Sequence, residues 1–303
     1  MDPGEIVPGR GPDRVGKDGR DTGLHDVPHV GCADGSCTTK RIGSAQVMIP
    51  DKERIRLRFE QAAGTYEQAA AVQHRVADRL LALLGQSVPE ARPRMVLEIG
   101  CCTGLLTEKL LDHYPGIAHL TVSDLVAAFE PDIRRKMHGR SGTALTFLAG
   151  DIEAVALPER YDLIISSSTL HWVHDLPALC AKLHDHLVPG GILALSLYGE
   201  RNLWEIRELT GTGLSYRPLA ALQAIVGARF QLLAGTESLE REWFPDPMAV
   251  LQHLRATGVN SIGRKACWTR RQLANFVHDY ADRFSGEQGV SLTYHPLFLV
   301  ARA

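Results

Sequence analysis

The feature of this 303-residue sequence that most restricts its fold is a regular alternation of short apolar runs and helical patterns between residues 95 and 199. The apolar runs are MVLEIG, HLTVSDL, LTFLAGD, YDLIISSS and GGILALSLYG, with helical patterns at LTEKLLDHY, FEPDIRRKM and PALCAKLHDHL. Strands that alternate with helices at this interval form βαβ units around a parallel sheet. Runs such as DLIIS and ILALSL lack a polar face, which is typical of strands covered on both sides. We therefore predict an α/β, Rossmann-like, doubly wound fold with a mainly parallel sheet.

The segments that flank this alternation predict further elements. Two helical patterns lie between Asp51 and Leu84, where Val72, Val76 and Leu80 repeat every four residues along one face. After residue 199, helical patterns occur at LWEIRELT, LAALQAIVG, PMAVLQHLRAT and RRQLANFVHDYADRF, and one strand is predicted at FQLLAGTESLEREW. The final run, VSLTYHPLFLVAR, predicts a single closing strand that is antiparallel to the others. We expect part of the segment at about 200–285 to form a helical lid over the carboxyl ends of the strands, where open α/β sheets bind ligands.

Residues 1–47 differ in composition from the rest of the chain. They are rich in Gly, Asp, Pro and Arg, and with few large apolar side chains they cannot offset their ordering entropy by burial. We predict a disordered N-terminal extension at 1–47 and one domain at 48–303. The extension contains His25, His29, Cys32 and Cys37, whose spacings fit a zinc site only loosely, and chance occurrence explains them as well. We predict no metal site.

Charge and composition argue against several classes of partner. A formal net charge of -2 gives no global attraction to nucleic acid or to an anionic membrane. No run approaches the roughly 18–20 apolar residues that span a bilayer, and the first residues lack the apolar segment of a signal peptide. The six cysteines are scattered and include the neighbours Cys101 and Cys102, unlike a disulfide scaffold. We predict a cytoplasmic protein with reduced thiols that binds neither nucleic acid nor membrane.

Three consecutive strand ends carry residues suited to a nucleoside cofactor. The first strand runs through Glu98 into a small-residue loop that opens a helix, which is the context of a glycine-rich nucleotide loop. The second strand ends at Asp124, which is placed to accept hydrogen bonds from two ribose hydroxyls. The third ends at Asp151 and Ile152, suited to an adenine amino group and ring face. The predicted cofactor residues are Glu98, Gly100, Cys101, Cys102, Gly104, Asp124, Asp151 and Ile152.

The loop also argues against two other nucleotide ligands. No GxxxxGK[ST] motif is present, which disfavours a nucleoside triphosphate. A dinucleotide oxidoreductase remains an alternative on the glycine loop alone, although the loop lacks the third-glycine spacing of that class and no separate hydride-acceptor domain pattern follows.

The loop resembles the first motif of the class I S-adenosylmethionine-dependent methyltransferases, usually ExGxGxG. Glu98, Gly100 and Gly104 match this motif, whereas Cys102 stands at its middle glycine. The resemblance implies S-adenosylmethionine as cofactor. If position 102 requires a left-handed backbone, a side chain there costs roughly 1–2 kcal/mol. Two interpretations stay open: Cys102 is tolerated with weaker cofactor binding, or cofactor binding has been lost.

Several segments beyond this core resemble one family, the malonyl-acyl-carrier-protein O-methyltransferases of biotin synthesis. They are DKERIRLRFEQAAGTYEQAAAVQ, LHWVHDLP, ELTGTGLSYRPL, LQHLRATGVNSIG and SLTYHPLFLVARA, and the resemblance covers roughly residues 48–303. It implies transfer of a methyl group to the free carboxylate of malonyl carried on acyl carrier protein, which masks the charge so that the chain can be elongated toward pimeloyl. The alternatives are another small-molecule carboxyl or C-methyltransferase, and a non-catalytic methyltransferase-like assembly factor.

This implied reaction needs no strong base. A carboxylate with a reference pKa near 4 is ionised at neutral pH, so it can attack a sulfonium methyl without losing a proton. Alignment of the reacting atoms can lower the barrier by roughly 7–11 kcal/mol, and exclusion of water makes the carboxylate a better nucleophile. We therefore expect residues that position the acceptor instead of a catalytic triad.

Candidates for positioning the acceptor are Tyr66, His171, Tyr216, Arg255 and His295. Arg255 is suited to pair with a carboxylate through two parallel hydrogen bonds, or is an ordinary surface arginine. Tyr66 and Tyr216 are suited to donate to the carboxylate or to close over the cofactor, or are packed tyrosines. His171 follows the fourth strand beside the expected methyl position, together with Trp172. His295 has either an acceptor-contacting or a structural role.

Acyl carrier protein is acidic, so its docking requires a positive face near the acceptor site. The densest late cluster of positive charge comprises Arg264, Lys265, Arg270 and Arg271. This cluster is either a docking surface or the solvated end of a helix.

Overall fold

The structure is a computed structural model that describes residues 50–259 and 268–303, together with the backbone of residues 46–48. The described strands are β1 (Gln46–Met48), β2 (Met95–Ile99), β3 (His119–Asp124), β4 (Ala144–Ala149), β5 (Tyr161–Ser167), β6 (Leu187–Tyr198), β7 (Thr212–Leu214), β8 (Gln231–Glu237), β9 (Glu240–Phe244), β10 (Ser285–Gly286), β11 (Gly289–Tyr294) and β12 (Pro296–Arg302). The described α-helices are α1 (Lys52–Ala69), α2 (Ala71–Ser87), α3 (Leu105–His113), α4 (Glu130–Lys136), α5 (Leu176–Asp185), α6 (Trp204–Thr210), α7 (Leu219–Gly227), α8 (Pro247–Ala256) and α9 (Arg270–Phe284). Short 3₁₀ turns lie at Ala127–Phe129 and Leu170–Trp172.

Seven strands form the central sheet in the order β4-β3-β2-β5-β6-β12-β8. The pairs among β4, β3, β2, β5 and β6 are parallel, whereas β12 pairs antiparallel with both β6 and β8. From β2, the first strand of the alternation, the chain adds β3 and β4 on one side and then returns to add β5 and β6 on the other side. The strand order therefore reverses between β2 and β5. This arrangement confirms the predicted Rossmann-like fold with a mainly parallel sheet and an antiparallel last strand.

The central sheet is covered on both faces, as the apolar strands predicted. Successive side chains of a strand point to opposite faces, so Val96 of β2 joins one hydrophobic core while Leu97 and Ile99 join the other. Helices α2 and α3 supply the first core, and α5 and α7 supply the second. The carboxyl ends of the strands are thereby left as the open edge of the sheet.

Two runs that were each predicted as one strand are two strands. The run FQLLAGTESLEREW divides into β8, which joins the central sheet, and β9, which pairs with β11 in a separate three-stranded sheet. The run VSLTYHPLFLVAR divides at His295 into β11 and β12, which belong to different sheets. The break was hidden because both halves are buried, so hydropathy does not change across it. Pro296 fits the division, since proline cannot donate to a strand ladder and is tolerated at the first residue of a strand.

Four of the described helices, α1, α5, α8 and α9, begin at a residue whose side chain caps the first turn. The side chain of Asp51 accepts a hydrogen bond from the Arg54 N–H at 3.1 Å at the start of α1, and Asp175 does the same for Ala178 at 2.9 Å in α5. Thr269 and Gln272 form a reciprocal capping box at the start of α9. Such caps satisfy backbone donors that have no partner inside the helix, typically for about 1 kcal/mol each.

The first described strand spans the predicted N-terminal boundary of the domain. Strand β1 begins at Gln46, two residues before the predicted start of the domain, and pairs parallel with β7. The predicted disorder of the extension, with His25, His29, Cys32 and Cys37, lies outside the described residues, and so do Arg264 and Lys265. Within the described ranges, no helix has the length and apolarity to cross a membrane. The same ranges hold no group of three or more His, Cys, Asp or Glu side chains arranged for a metal ion.

Candidate active site

A cleft with an empty volume of about 770 Å³ opens at the carboxyl ends of β2, β3, β4 and β5. Helix α1 contributes Lys52, Ile55, Phe59 and Tyr66 to its wall. We call this cavity the strand-tip cleft. The strand ends and their loops contribute Ile99, Gly100, Cys102, Ser123, Asp124, Leu125, Val126, Phe129, Gly150, Asp151, Ile152, Ser167, Ser168, Thr169, Trp172 and Val173.

The loop between β2 and α3 has its backbone N–H groups turned into the protein. The N–H groups of Gly100 and Cys101 both donate to the carbonyl of Ser123, at 2.7 and 3.3 Å. The Cys102 N–H donates to Asp124 Oδ2 at 2.8 Å. A phosphate-binding loop needs these groups to face the ligand. This loop is therefore unsuited to a triphosphate or to the pyrophosphate of a dinucleotide.

Gly100 is required by its backbone conformation and by its neighbour. Its φ is 77°, in the left-handed region that glycine adopts without steric cost. A Cβ atom added here would lie 2.1 Å from Thr169 Oγ1, far inside van der Waals contact. The Thr169 hydroxyl is itself held by a 3.0 Å hydrogen bond to the carbonyl of Ser167. The loop after β2 and the loop after β5 therefore meet at this glycine.

Cys102 also has a left-handed backbone, with φ of 47°. Position 102 thus carries the strain of roughly 1–2 kcal/mol that a side chain incurs in this region. Its side chain lines the strand-tip cleft. Burial, followed by the nearby Asp124 charge, raises the pKa of the Cys102 thiol well above its ordinary value. Because the thiolate is the reactive form, Cys102 is an inert part of the wall.

Cys101, which was also predicted as a cofactor residue, has a different location. Its side chain is 2% exposed and packs in the hydrophobic core instead of lining the cleft. Gly104 also lies behind the lining, where it caps the start of α3 with a left-handed φ of 86°. Both residues shape the loop and leave the ligand-facing positions to Gly100 and Cys102.

Asp124 is a buried carboxylate at the tip of β3. Its Oδ2 accepts from the Cys102 N–H and its Oδ1 accepts from the Val126 N–H, both at 2.8 Å. Burial raises the pKa of Asp124 to about 6, while these backbone hydrogen bonds act to lower it. A carboxylate offers about four acceptor positions, so Asp124 retains capacity for two hydroxyl groups of a ligand.

Glu98 lies beneath the cleft and does not line it. It is fully buried, and its Oε2 accepts from the Thr107 hydroxyl at 2.7 Å, which ties β2 to α3. Its Oε1 has no hydrogen-bond partner. Burial raises the pKa of Glu98 to about 8, so the side chain is mostly a neutral acid at pH 7.

Asp151 and Ile152 line the cleft after β4. Asp151 Oδ2 is 2.6 Å from Lys52 Nζ, and its Oδ1 accepts from the Glu153 N–H at 3.0 Å. Lys52 also forms an ion pair with the Glu153 carboxylate. These contacts fasten the first turn of α1 to the end of β4. Nearby, a ring nitrogen of His174 lies 2.6 Å from the carbonyl oxygen of Pro50, just before α1.

The hydrogen-bond acceptors and the apolar surface of the strand-tip cleft suit an adenosine-type ligand without phosphate groups. Asp124 can accept from vicinal hydroxyls, Asp151 can accept from an amino group, and Ile152 offers an apolar face. Lys52 is the one cation among the described lining residues, and two carboxylates already neutralise it. A phosphate would therefore find the N–H groups of Gly100, Cys101 and Cys102 already engaged and no unpaired positive charge among the described lining residues.

A second, narrow cavity adjoins the strand-tip cleft. Phe59, Tyr66, Ser168 and Trp172 line both cavities, so the two adjoin at these residues. We call the second cavity the inner chamber. Its further lining residues are Gln73, His171, Tyr198, Asn202, Tyr216, Thr257, Val259 and Tyr294. None of the described lining residues is Asp, Glu, Lys or Arg, so the inner chamber is polar but uncharged.

His171 is enclosed by aromatic rings. Its ring centroid lies 4.9 Å from that of Trp172, 5.1 Å from Tyr198 and 6.3 Å from Tyr216. Burial lowers the pKa of His171 to about 3, so the imidazole is neutral at pH 7. Its Nδ1 is buried without a hydrogen-bond partner. The structure therefore places His171 in the inner chamber as a neutral polar group.

The tyrosines of the inner chamber remain protonated. Burial raises the pKa of Tyr216 to about 12 and raises those of Tyr66, Tyr198 and Tyr294 well above the usual value. The Tyr216 oxygen accepts from Asn202 Nδ2 at 3.0 Å, and the Tyr198 oxygen accepts from the Ser168 hydroxyl at 3.2 Å. Every one of these hydroxyls can donate a hydrogen bond at neutral pH.

Two predicted acceptor residues lie outside both cavities. His295 is buried at the junction of β11 and β12, where its Nδ1 accepts from the Arg201 N–H at 3.1 Å and its Nε2 lies 3.2 Å from Glu237 Oε2. These contacts give His295 a structural position. Arg255 is exposed in the last turn of α8, where a positive charge is favourable toward the helix dipole. The structure brings Tyr66, His171 and Tyr216 together and leaves Arg255 and His295 apart from them.

Lys52, Gln73 and Asn202 were not singled out from the sequence. Gln73 had a recognisable signal, because it is a polar residue on the apolar face of α2 beside Val72 and Val76. Asn202 lies in a loop after β6 and had no such signal. Lys52 lies in the first turn of a helix whose position over the sheet no local pattern reveals.

Comparisons with known proteins agree with this geometry. Residues 96–191 match a family model described as a methyltransferase domain. The chain is 39% identical over 255 residues to a malonyl-[acyl-carrier protein] O-methyltransferase from Chlorobium phaeovibrioides, covering 84% of this chain and 97% of that protein. It is 35% identical over 264 residues to the protein of the same name from Bacteroides thetaiotaomicron, covering 83% and 98%.

Solved structures resemble the fold at low sequence identity. A putative methyltransferase from Bacillus halodurans superposes with a TM-score of 0.52 at 15% identity, covering 73% of this chain and 97% of that one. The YcgJ protein of Bacillus subtilis superposes with a TM-score of 0.53 at 14% identity, covering 74% and 98%. These two structures share the fold with this chain.

Proposed function

Because this chain belongs to the malonyl-[acyl-carrier protein] O-methyltransferase family, we propose that it transfers the methyl group of S-adenosylmethionine to the free carboxylate of a malonyl group on acyl carrier protein. The product is the malonyl methyl ester that primes pimeloyl and biotin synthesis. The observation that carries this proposal is that a hydroxyl-lined chamber without charged side chains among its described residues adjoins the strand-tip cleft.

The strand-tip cleft holds the cofactor in this proposal. Asp124 accepts from the ribose hydroxyls, Asp151 accepts from the adenine amino group, and Ile152 packs against the ring. Gly100 and Cys102 form the wall beside the methionine part. When bound, S-adenosylmethionine supplies an electrophilic methyl group on a sulfonium, and its transfer to a carboxylate oxygen leaves a neutral thioether and a neutral ester.

The inner chamber receives the acceptor carboxylate. The carboxylate is ionised at neutral pH, so no group of the chamber has to remove a proton, in agreement with the neutral His171 and the protonated tyrosines. The residues shared by the two cavities, such as Tyr66 and Trp172, exclude water where cleft and chamber meet. Exclusion of water and alignment of the two reactants are then the main contributions of the protein.

We propose that the carrier protein docks through exposed arginines. Arg270 and Arg271 begin α9 and are both exposed. Neither forms an ion pair with another residue in the described part of the chain. Positive charge in the first turn of a helix opposes its dipole, so these residues do not serve helix stability. Reversing both charges is expected to raise KM for malonyl-carrier protein several-fold and to spare KM for a small malonyl thioester. Equal effects on both substrates would contradict this docking surface.

The function is tested by incubating the purified protein with labelled S-adenosylmethionine and with malonyl-, succinyl- or acetyl-carrier protein. We expect label in a base-labile ester on the dicarboxylate thioesters and none on acetyl-carrier protein. Calorimetric titration with S-adenosylhomocysteine tests the cofactor separately. Binding without transfer to any carrier-bound acyl group would support a non-catalytic role, and absence of binding by both the wild type and Cys102→Gly would overturn the cofactor assignment.

A further inference from the structure

The inner chamber has no charged side chain among its described lining residues, although the proposed acceptor is an anion. Burial of a carboxylate is unfavourable unless hydrogen bonds replace its lost hydration. The donors must therefore come from neutral groups of the wall. Their identity can be inferred from how each polar group of the chamber is already engaged.

Asn202 fixes the direction of one such donor. The backbone N–H of His295 donates to Asn202 Oδ1 at 3.3 Å, which sets the orientation of the amide. Asn202 Nδ2 then donates to the Tyr216 hydroxyl oxygen at 3.0 Å. A hydroxyl that accepts through its oxygen still has its own proton to donate. Tyr216 therefore has a free O–H donor in the wall of the chamber.

The loop that carries Asn202 is itself held rigidly. The Arg201 N–H donates to His295 Nδ1 at 3.1 Å, and the Asn202 N–H donates to the carbonyl of Gly199 at 3.0 Å. Leu203, the next residue, has a left-handed backbone with φ of 50°. Backbone strain of this kind persists only where surrounding contacts impose it. His295 thus acts at a distance from the chamber by clamping the loop that presents Asn202.

Gln73 is a second polar group aimed at the inner chamber. Gln73 is 5% exposed, and its Oε1 has no hydrogen-bond partner among the residues that the structure describes. An unpaired buried amide oxygen is costly, which points to a ligand or to a rotated amide that completes its hydrogen bonds. Rotating the amide by 180° exchanges the oxygen for the NH₂ group, and an anion would be met by that NH₂ group.

We propose that the acceptor carboxylate is bound by neutral donors, the Tyr216 O–H, which Asn202 positions, and the Gln73 amide, with no cation among the described residues of the chamber wall. This inference rests on the proposed function. A cation would stabilise the ionised acceptor before transfer more than at the transition state, where its charge is disappearing. Neutral donors orient the carboxylate and leave more of its reactivity intact.

The test measures binding of a small malonyl thioester to the protein saturated with S-adenosylhomocysteine, with the acetyl thioester as the matched ligand that lacks the carboxylate. Tyr216→Phe and Gln73→Leu are each expected to weaken malonyl thioester binding about 10-fold or more, since each removes a hydrogen bond to a charged group. Neither is expected to change binding of the acetyl thioester or of S-adenosylhomocysteine.

Asn202 is tested as a positioning residue. Asn202→Asp has nearly the same shape and retains the acceptor for the His295 N–H, but its carboxylate would accept the Tyr216 proton and draw it out of the chamber. Asn202→Ala removes the contact without adding charge. Both are expected to weaken malonyl thioester binding, and Asn202→Ala should add little to Tyr216→Phe in the double variant. Thermal unfolding and affinity for S-adenosylhomocysteine report whether each variant remains folded.

Additive effects of Asn202→Ala and Tyr216→Phe would overturn the positioning role. Equal losses for the malonyl and acetyl thioesters would overturn carboxylate recognition by these residues. These outcomes are distinct from failure of the proposed function, in which the wild type itself would methylate no dicarboxylate thioester.

Discussion

The strand-tip cleft and the inner chamber are adjoining cavities built on opposite electrostatic principles. The cleft places two carboxylates, Asp124 and Asp151, at the ends of parallel strands and holds them with backbone N–H groups and Lys52. The chamber has no charged group among its described lining residues. A nucleoside with hydroxyl and amino donors requires fixed acceptors, whereas a carboxylate that must attack a cation requires donors that do not neutralise it.

The two cavities also differ in how the chain assembles them. The cleft takes most of its polar residues from the ends of four consecutive strands, β2 to β5, and the loops that follow them. The chamber takes Tyr66 from α1, Gln73 from α2, Asn202 from the loop after β6, Tyr216 from the segment after β7 and Tyr294 from β11. The cleft therefore follows from the topology of the sheet, whereas the chamber depends on the packing of segments that are distant in sequence.

Gly100→Ala should have the largest effect, and it would alter the wall of the cleft. The added methyl group would overlap the Thr169 hydroxyl and force a left-handed backbone on alanine. Strain and overpacking together are expected to destabilise the protein by about 2–5 kcal/mol, measured by chemical denaturation. Gly142→Ala is the matched control, because its Cβ would have no neighbour within 4 Å. If the two variants were equally stable, the contact between the β2 and β5 loops would not be a constraint.

Glu98→Gln should change how stability depends on pH. The pKa of Glu98 is about 8 in the folded protein, against an ordinary value of 4.5. Between these two pH values, Glu98 is protonated in the folded state and ionised in the unfolded state. Wild-type stability should therefore fall by up to about 1.4 kcal/mol per pH unit as pH rises through this interval, and Glu98→Gln should lack this component. Denaturation curves between pH 5 and 9 measure the difference. Thr107→Ser keeps the hydroxyl donor and should follow the wild-type profile. If the stability of Glu98→Gln depended on pH as that of the wild type does, Glu98 would not be a buried neutral acid.

Asp124→Asn should weaken S-adenosylhomocysteine binding about 10- to 100-fold, since hydrogen bonds to a charged acceptor are each worth roughly 1.5–3 kcal/mol. Because the pKa of Asp124 is about 6, wild-type affinity should also fall as pH drops from 7 to 5, and the variant should lose this dependence. Calorimetric titration measures both. Asp162→Asn is the control, since Asp162 accepts from the Arg94 and Met95 N–H groups at the opposite edge of the sheet. An equal loss in the control would show that the effect is structural.

Lys52→Met should have a smaller effect, on kinetics. The ion pairs of Lys52 with Asp151 and Glu153 fasten α1 over the cleft. Loss of a half-buried ion pair worth about 1 kcal/mol is expected to make dissociation of S-adenosylhomocysteine roughly fivefold faster. Stopped-flow fluorescence measures this rate. Lys109→Met, which removes an ion pair with Asp78 between α3 and α2, should leave the dissociation rate unchanged. Identical rates for Lys52→Met and the wild type would show that α1 is held by its apolar contacts alone.

The smallest expected effect is an absence of pH dependence in the chamber. With the pKa of His171 near 3 and that of Tyr216 near 12, neither side chain changes charge between pH 5.5 and 8.5. Affinity of a small malonyl thioester for the protein saturated with S-adenosylhomocysteine should then vary by less than about twofold over this range. A titration midpoint inside the range would show that a charged group takes part in acceptor binding. The chamber would then not differ from the cleft in lacking charged groups that contact the ligand.

The sequence by itself determined the central sheet and located the two carboxylates that line the cleft, Asp124 and Asp151. Alternating apolar and helical runs specify βαβ units, and parallel strands bring their carboxyl ends to one edge. Glu98, Asp124 and Asp151 therefore fell at strand ends that could be identified without coordinates. The pattern was less informative after β6, where two runs that were each predicted as one strand proved to be two strands. In one of them, β11 and β12 are both buried, so hydropathy does not change across the break.

Only the tertiary structure decided which residues form the inner chamber. Arg255 and His295 had the chemistry expected of acceptor residues, yet Arg255 is exposed and His295 holds a loop in place. In the chamber, Gln73 has an amide oxygen without a partner among the described residues, and Asn202 donates to the Tyr216 hydroxyl oxygen. The physical reason is that hydrogen-bond partners and burial depend on contacts between segments far apart in the chain. A local pattern records which groups a residue offers, and the packing of the fold determines which of those groups remain free for a ligand.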